Sequence, residues 1–190
     1  MKQRFSKRTR LVSALLTLAM VFTFLPFSAF AATDRYGPVY ITDANVPDKT
    51  FREYLLKRFD KDGNGVLTPA ERYAVTEIDV NDKNITSLKG IEFFPNLKKL
   101  NCGHNRLTSL DVSKNTELTY LDCSYNRLTE LDVSQNTKLT ELYFVSNKIT
   151  SLQADNCTNL TVIFTGSNKY KVEVLSLIHI SEPTRRTPIS

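Results

Sequence analysis

The stretch DKDGNGVLTPAE, residues 60–71, sets oxygen-bearing groups at alternate places. Asp60, Asp62 and Asn64 hold its first, third and fifth places, Thr68 the ninth and Glu71 the last. A hard cation such as calcium takes roughly six to eight oxygen ligands, and this spacing brings oxygens from alternate residues to one point. Gly65 allows the sharp turn, Val66 offers its carbonyl, Thr68 acts directly or through a water, and Glu71 closes the site with both oxygens. Leu67 is the apolar residue that faces the core. An acidic turn that binds nothing needs neither the glycine nor the final glutamate in register.

Place by place the stretch matches the loop of an EF-hand. Helical patterns flank it. Asp48 is a candidate N-cap, Phe51, Leu55 and Phe59 share one helical face, and PAERYAV follows the loop. EF-hands usually come in pairs, and the chain holds no second loop of this pattern. A lone site in an extracellular module binds at roughly 10⁻⁴–10⁻³ M, so calcium is expected to act structurally rather than as a signal.

Beyond the loop the chain repeats. Leu97, Leu118, Leu139 and Leu160 recur at one spacing, as do Leu100, Leu121 and Leu142, and Asn105, Asn126 and Asn147. Leu110-Asp111-Val112-Ser113 returns as Leu131-Asp132-Val133-Ser134. A fixed period of this size marks a stacked repeat architecture. The pattern L-x-x-L-x-(L/C/F)-x-x-N-x-(L/I)-x-x-L resembles the leucine-rich repeat. The resemblance implies an α/β repeat fold: a solenoid of 21-residue units with a parallel strand ladder, closed at its N-terminal edge by the helical EF-hand cap. Residues 77–81 are the expected first strand, with Ile78 and Val80 inward. The asparagines are expected to bond the backbone of neighbouring turns, since buried amides must be paired. A unit this short leaves no room for a helix on the convex side, so turns or irregular backbone are expected there.

In the internalins of Gram-positive bacteria a small EF-hand-like helical cap precedes leucine-rich repeats, and residues 48–174 resemble that arrangement. ITSLKGIEFFPNL, residues 85–97, is similar to their first-repeat wording. This chain departs from the family in keeping a full ligand set in the loop, where the family's cap need not bind metal. The resemblance implies architecture and leaves the ligand open.

Strand alternation decides which side chains reach the concave face. The outward columns are Glu77, Lys99, Tyr120, Glu141, Val162 and Asp79, Asn101, Asp122, Tyr143, Phe164. Near the strand ends lie Asp82, His104, Tyr125, Ser146 and Ser167. The expected ligand face is Lys99, Tyr120, Asp122, Tyr125, Glu141, Tyr143 and Phe164, because aromatics on a rigid surface make binding hot spots. Ordinary packing between neighbouring strands, with Phe164 covering an edge, accounts for the same aromatics.

Few residues offer reactive chemistry. Cys102 and Cys123 fall one repeat apart in the inward slot that Phe144 fills next, and Cys157 takes the turn slot of Asn115 and Asn136. Buried thiols are common in cores, parallel in-register neighbours suit a disulfide poorly, and no C-x-x-C spacing supports zinc. His104 is the only histidine before residue 175 and has no nucleophile motif around it. No enzymatic activity is expected within residues 32–174.

The ends carry the net positive charge. Residues 1–31 join Lys2, Arg4, Lys7, Arg8 and Arg10 to an apolar run and an Ala29-Phe30-Ala31 site, the layout of a secretory signal peptide. Residues 175–190, LSLIHISEPTRRTPIS, resemble a translated sequencing-library adapter, which implies that the natural protein continues past Val174 and that its repeats are truncated. The whole chain has formal charge +5; setting both ends aside leaves −1, which removes the case for nucleic acid or an anionic membrane as partner. Residues 32–47 are expected to be extended, 48–76 the cap and 77–174 the repeats, with no transmembrane segment in the mature chain. The expected protein is a secreted or cell-surface binding module of a Gram-positive bacterium. It recognises a protein or glycan on its concave face and is a monomer when intact. The alternatives are the N-terminal targeting module of a larger secreted enzyme, or a structural envelope spacer.

Overall fold

Leucines at a fixed period cannot be buried by one turn of chain, so each turn must stack on the next. The computed structural model describes residues 37–168, which from Pro38 onward fall in one compact unit. The expected signal peptide, the first residues of the extended segment, the last residues of the repeats and residues 175–190 lie outside the described residues.

The cap is built from β1 (Val39–Tyr40), α1 (Lys49–Phe59), β2 (Val66–Leu67) and α2 (Pro69–Tyr73). Asp48 caps α1, its Oδ1 accepting the Phe51 N–H at 3.0 Å. Phe51 and Leu55 are fully buried, and Phe59 lies against Phe94 with ring centroids 5.5 Å apart, so the expected apolar face of α1 is the one that meets the repeats. The short α2 opens with Pro69 at its first turn and a capping box between Thr68 and Glu71. Its Arg72 is buried and donates Nη1–H to the Phe93 carbonyl at 3.1 Å, tying the cap to the 3₁₀ turn Ile91–Phe93.

The repeats supply β3 (Glu77–Asp79), β4 (Lys99–Asn101), β5 (Tyr120–Asp122), β6 (Glu130–Asp132), β7 (Glu141–Tyr143), β8 (Ser151–Gln153) and β9 (Val162–Phe164). Five of them form one parallel sheet in the order β3-β4-β5-β7-β9. Its register aligns Ile78, Leu100, Leu121, Leu142 and Ile163 in one inward row. Leu97, Leu100, Leu118, Leu121, Leu139 and Leu142 have no exposed surface, and each such side chain contributes about 1.5–3 kcal/mol by burial. The first strand ends at Asp79 rather than residue 81. Val80 N–H still bonds Asn101 O at 2.8 Å, and Asp82 then turns the chain at φ +53°.

The far side corrects the sequence expectation of turns and irregular backbone. There β6 and β8 form a second parallel pair, Leu131 opposite Leu152. Leu131 is buried and Leu152 packs partly on the core, so both turns bring an apolar residue to the same slot, and Val133 N–H closes on Gln153 O at 2.8 Å.

Two ladders of side chains lock the turns together. Asn126 Nδ2 donates to Cys102 O at 3.0 Å while its Oδ1 accepts the Leu107 N–H at 2.9 Å. Asn105 and Asn147 do the same one turn away, as expected, and Asn168 continues the series with Nδ2 on Phe144 O at 3.0 Å. The second ladder is Asn115, whose Nδ2 reaches Ile91 O and Phe94 O, and Asn136, whose Nδ2 reaches Val112 O and Asn115 O.

Candidate functional site

The cap loop follows α1 because Gly63 and Gly65 take φ of +69° and +79°, where a side chain is strained. Asp60 closes the turn: Oδ1 accepts the Gly63 N–H at 2.9 Å and Oδ2 the Gly65 N–H at 2.8 Å. Burial raises its carboxyl, but these N–H groups outweigh it and hold it below the ordinary range. Asn64 Oδ1 accepts the Val66 N–H at 2.7 Å, and its amide donates to Asp62 Oδ2 at 2.8 Å.

β1 supplies what the sequence reading did not foresee, a partner for the loop strand. Ile41 N–H bonds Gly65 O at 2.9 Å, so Tyr40 and Val66 face each other as a non-hydrogen-bonded pair. The Val66 N–H and carbonyl therefore both turn away from β1, toward Asn64 and the loop. Glu71 reaches back from α2: Oε1 accepts the Lys61 N–H at 2.9 Å, and Oε2 the Thr68 N–H and O–H at 2.9 and 2.8 Å. Burial pushes the Glu71 carboxyl up, and these donors pull it below its usual value.

Carboxylate oxygens of Asp60, Asp62 and Glu71 lie within 4.8 Å of one another. The donor set is all oxygen, as calcium requires, and the fit rests on that convergence together with the orientation of the Val66 carbonyl. The Thr68 hydroxyl is engaged as the N-cap of α2, which places any contribution from it behind a bridging water.

On the outer face of the ladder, β4, β5, β7 and β9 bring Lys99, Tyr120, Glu141 and Val162 into one row, and Asn101, Asp122, Tyr143 and Phe164 into the next. Tyr120, Tyr143 and Phe164 form a run across these rows. The Tyr120 and Tyr143 rings are tilted with centroids 5.5 Å apart, and Tyr143 stacks on Phe164 at 5.1 Å with planes 9° apart. Tyr143 O–H donates to Glu141 Oε2 at 3.0 Å, which raises the phenol. Burial, with Asp122 nearby, raises Tyr120. Lys99, Asn101 and Tyr120 also line a small cleft of about 210 Å³ with Glu77 and Asp79.

Asp122 spends one oxygen on the Ser124 N–H at 2.9 Å, and Asp79, Asp111 and Asp132 make the same turn two residues on. The recurring Asp-x-Ser wording thus has a backbone cause. Tyr125 stands apart from the run. It stacks on His104 at 4.2 Å, and both take positive φ at the strand ends, as do Asp82, Ser146 and Ser167. The left-handed turn lets each N–H reach the next repeat, as from Tyr125 to Val145 O at 2.7 Å. Tyr125 and Phe164 are 50% and 52% exposed, which makes them the open apolar surfaces of this face.

The cysteines lie off both sites. Cys102 and Cys123 are buried free thiols, pushed far above the usual thiol range by burial. Cys157 is raised by burial to about 11, and its Sγ donates to Val133 O at 3.2 Å in the slot of the second asparagine ladder. Among the described residues no helix is long and apolar enough to cross a membrane.

A family model described as Leucine Rich repeats (2 copies) matches residues 95–136 and 116–154. Over 70 residues the chain is 34% identical to internalin J of Listeria monocytogenes serotype 4b (strain F2365), covering 37% of this chain and 8% of that protein. The crystal structure of an internalin, inlF, from Listeria monocytogenes strain 4b F2365 is similar with TM-score 0.57 and 26% identity, over 70% of this chain and 47% of that one. The chain thus spans less than a tenth of the length of the curated relative it matches. In repeat wording, ladder register and these likenesses, the chain is an internalin-like leucine-rich-repeat protein.

Proposed function

We propose that the chain is a secreted or cell-surface binding module that takes a protein ligand on the outer face of its strand ladder, with calcium stiffening the cap. The observation that carries the reading is the run Tyr120–Tyr143–Phe164, held on a rigid parallel sheet. Solenoids present such a face for binding, and aromatics at its centre are what hot spots are made of. The geometry favours a protein over a glycan. Tyr143 is flanked by Tyr120 on one side and Phe164 on the other, so its faces are occupied and its edge is offered. A sugar ring stacks on an open face, whereas apolar peptide side chains pack against edges and against the exposed Phe164 and Tyr125.

In the cap, Asp60, Asp62, Asn64, Glu71 and the Val66 carbonyl would hold the calcium, with Thr68 acting through water. Bound calcium would neutralise carboxylates that otherwise repel, and so fix α1 against α2. The binding reading is tested by screening the chain in parallel against arrayed glycans and arrayed extracellular protein domains. A protein hit that Tyr120→Ala and Tyr143→Ala each weaken by roughly tenfold or more supports it. Hits confined to glycans, or hits indifferent to both substitutions, refute it.

A further inference from the structure

The solvent side of α1 does not face open water. Tyr54, Lys57 and Arg58 form one wall of a cleft of about 780 Å³, and Asp79, Asn81 and Lys83 of the first repeat form the other. Spacings of three and four residues put the α1 members on one stripe, opposite the buried Phe51 and Leu55. Lys57, Arg58 and Lys83 are exposed, and among the described residues none of them has a carboxylate within ion-pair distance. The acids nearby are engaged: Glu53 pairs with Lys49 at 3.7 Å, and Asp79 Oδ1 accepts the Asn81 N–H at 3.0 Å. Tyr54 Oη accepts the Asp79 N–H at 3.4 Å, and no protein acceptor takes its own hydrogen among the described residues. Three cations and a spare hydroxyl donor thus meet in one recess, on residues 32–174 whose formal charge is −1.

This recess is continuous with the ladder. Asp79 lines both it and the smaller cleft that contains Lys99 and Tyr120. We propose that the recess between α1 and β3 binds an acidic peptide segment, as a second subsite for the protein ligand that lies on the ladder; this rests on the binding reading above. The cations take the carboxylates, while the free oxygen of Asp79 and the Asn81 amide face the peptide backbone, whose N–H groups need acceptors. A strip of cations bordering an aromatic patch also steers a negatively charged partner onto the face before contact.

The test is fluorescence anisotropy of a labelled hexaglutamate peptide titrated with the full chain at low salt. Labelled hexaglutamine and an oligogalacturonate serve as the neutral and acidic-sugar comparisons. Hexaglutamate is expected to bind saturably, to be weakened by added salt, and to bind better than either comparison. The combined Lys57→Gln, Arg58→Gln and Lys83→Gln variant should weaken it roughly tenfold, while Lys114→Gln with Lys148→Gln, away from the recess, should not. Lys83→Glu alone, on the far wall, gives a second variant that leaves α1 untouched and should weaken binding about threefold. Equal binding of hexaglutamine or of the oligogalacturonate overturns the proposal, as does equal sensitivity to the two sets of lysine changes. Tyr143→Ala should leave hexaglutamate binding intact, so failure here is separable from failure of the ladder reading.

Discussion

Asp48 and Thr86 lie far apart in the chain and meet through one carboxylate oxygen: Asp48 Oδ2 accepts both the N–H and the O–H of Thr86, each at 2.8 Å. The other oxygen caps α1. One side chain therefore starts the cap helix and fastens it to the first repeat. Asp48→Ala should cost about 1–2 kcal/mol, a helix cap plus a partly solvated charged contact. Thr86→Val should remove part of that, and the double variant should cost less than the sum. Burial raises the Asp48 carboxyl, but the hydrogen bonds from Thr86 and Phe51 outweigh it, and the folded-state value is lowered. A depressed carboxylate stabilises fully above its unfolded value near about 4 and ceases to do so as the pH falls through the lower folded value. Urea melts of the parent and Asp48→Asn should accordingly converge below pH about 4. Curves that stay apart there would count against the link.

Calcium should raise the thermal midpoint of the chain, and Glu71→Gln should abolish that rise. At a dissociation constant of ~10⁻⁴ M and a hundredfold excess of metal, the linkage amounts to ~2.7 kcal/mol. The control is the same pair of proteins in chelator. Glu71 also caps α2 and holds the Lys61 N–H, so the substitution lowers stability without metal as well. The diagnostic quantity is the difference between the two increments on adding calcium, read by scanning calorimetry. Equal increments exclude metal binding through this loop.

The contrast between Gly90 and Gly63 isolates crowding from strain. Both have positive φ, +109° and +69°. A Cβ on Gly90 would sit 2.7 Å from Val46 Cγ2, whereas nothing lies within 4 Å of one on Gly63. Val46 is fully buried and cannot swing aside. Gly90→Ala should therefore cost about 2–4 kcal/mol and Gly63→Ala about 1 kcal/mol, measured by chemical denaturation. Comparable costs would mean that the Val46 contact contributes nothing.

What could be read without coordinates was whatever the period carries. The leucine rows, the Asn105–Asn147 ladder and the outward columns recur at one spacing, so local pattern and global fold agree at each. The cap loop was readable for a different reason, since its ligands all lie within one contiguous stretch. Contacts that cross the chain were not. Val39-Tyr40 looks like any short extended dipeptide until Val66–Leu67 is placed beside it. The β6–β8 pair was hidden because Ser109, Leu110 and Asp111 carry the same pattern in the preceding turn and form no strand. Alternation told which side Tyr143 faces, but the stacking on Phe164 that covers its ring depends on rotamers that alternation does not set.

Cys157 offers the last prediction, because it interrupts a ladder the protein otherwise keeps. Asn115 and Asn136 each send two amide N–H bonds to the turn before, at 2.9–3.0 Å. Cys157 fills the same slot with one weak donor, at 3.2 Å from Val133 O and 3.6 Å from Asn136 O. Cys157→Asn restores two N–H donors to those carbonyls at nearly equal side-chain volume. Against this, the Asn115 and Asn136 Oδ1 atoms are buried without a partner, and a new asparagine inherits the same cost. Two neutral hydrogen bonds contribute about 1–2 kcal/mol, and one unsatisfied oxygen removes about 1 kcal/mol, so the variant should gain roughly 0.5–1 kcal/mol. Asn126→Ala, in the main ladder, should lose about 3 kcal/mol by orphaning Leu107 N–H and Cys102 O in the core. Urea midpoints of the two variants against the parent should move in opposite directions. If Cys157→Asn destabilises as Asn126→Ala does, the slot is set by packing around sulfur rather than by its donors.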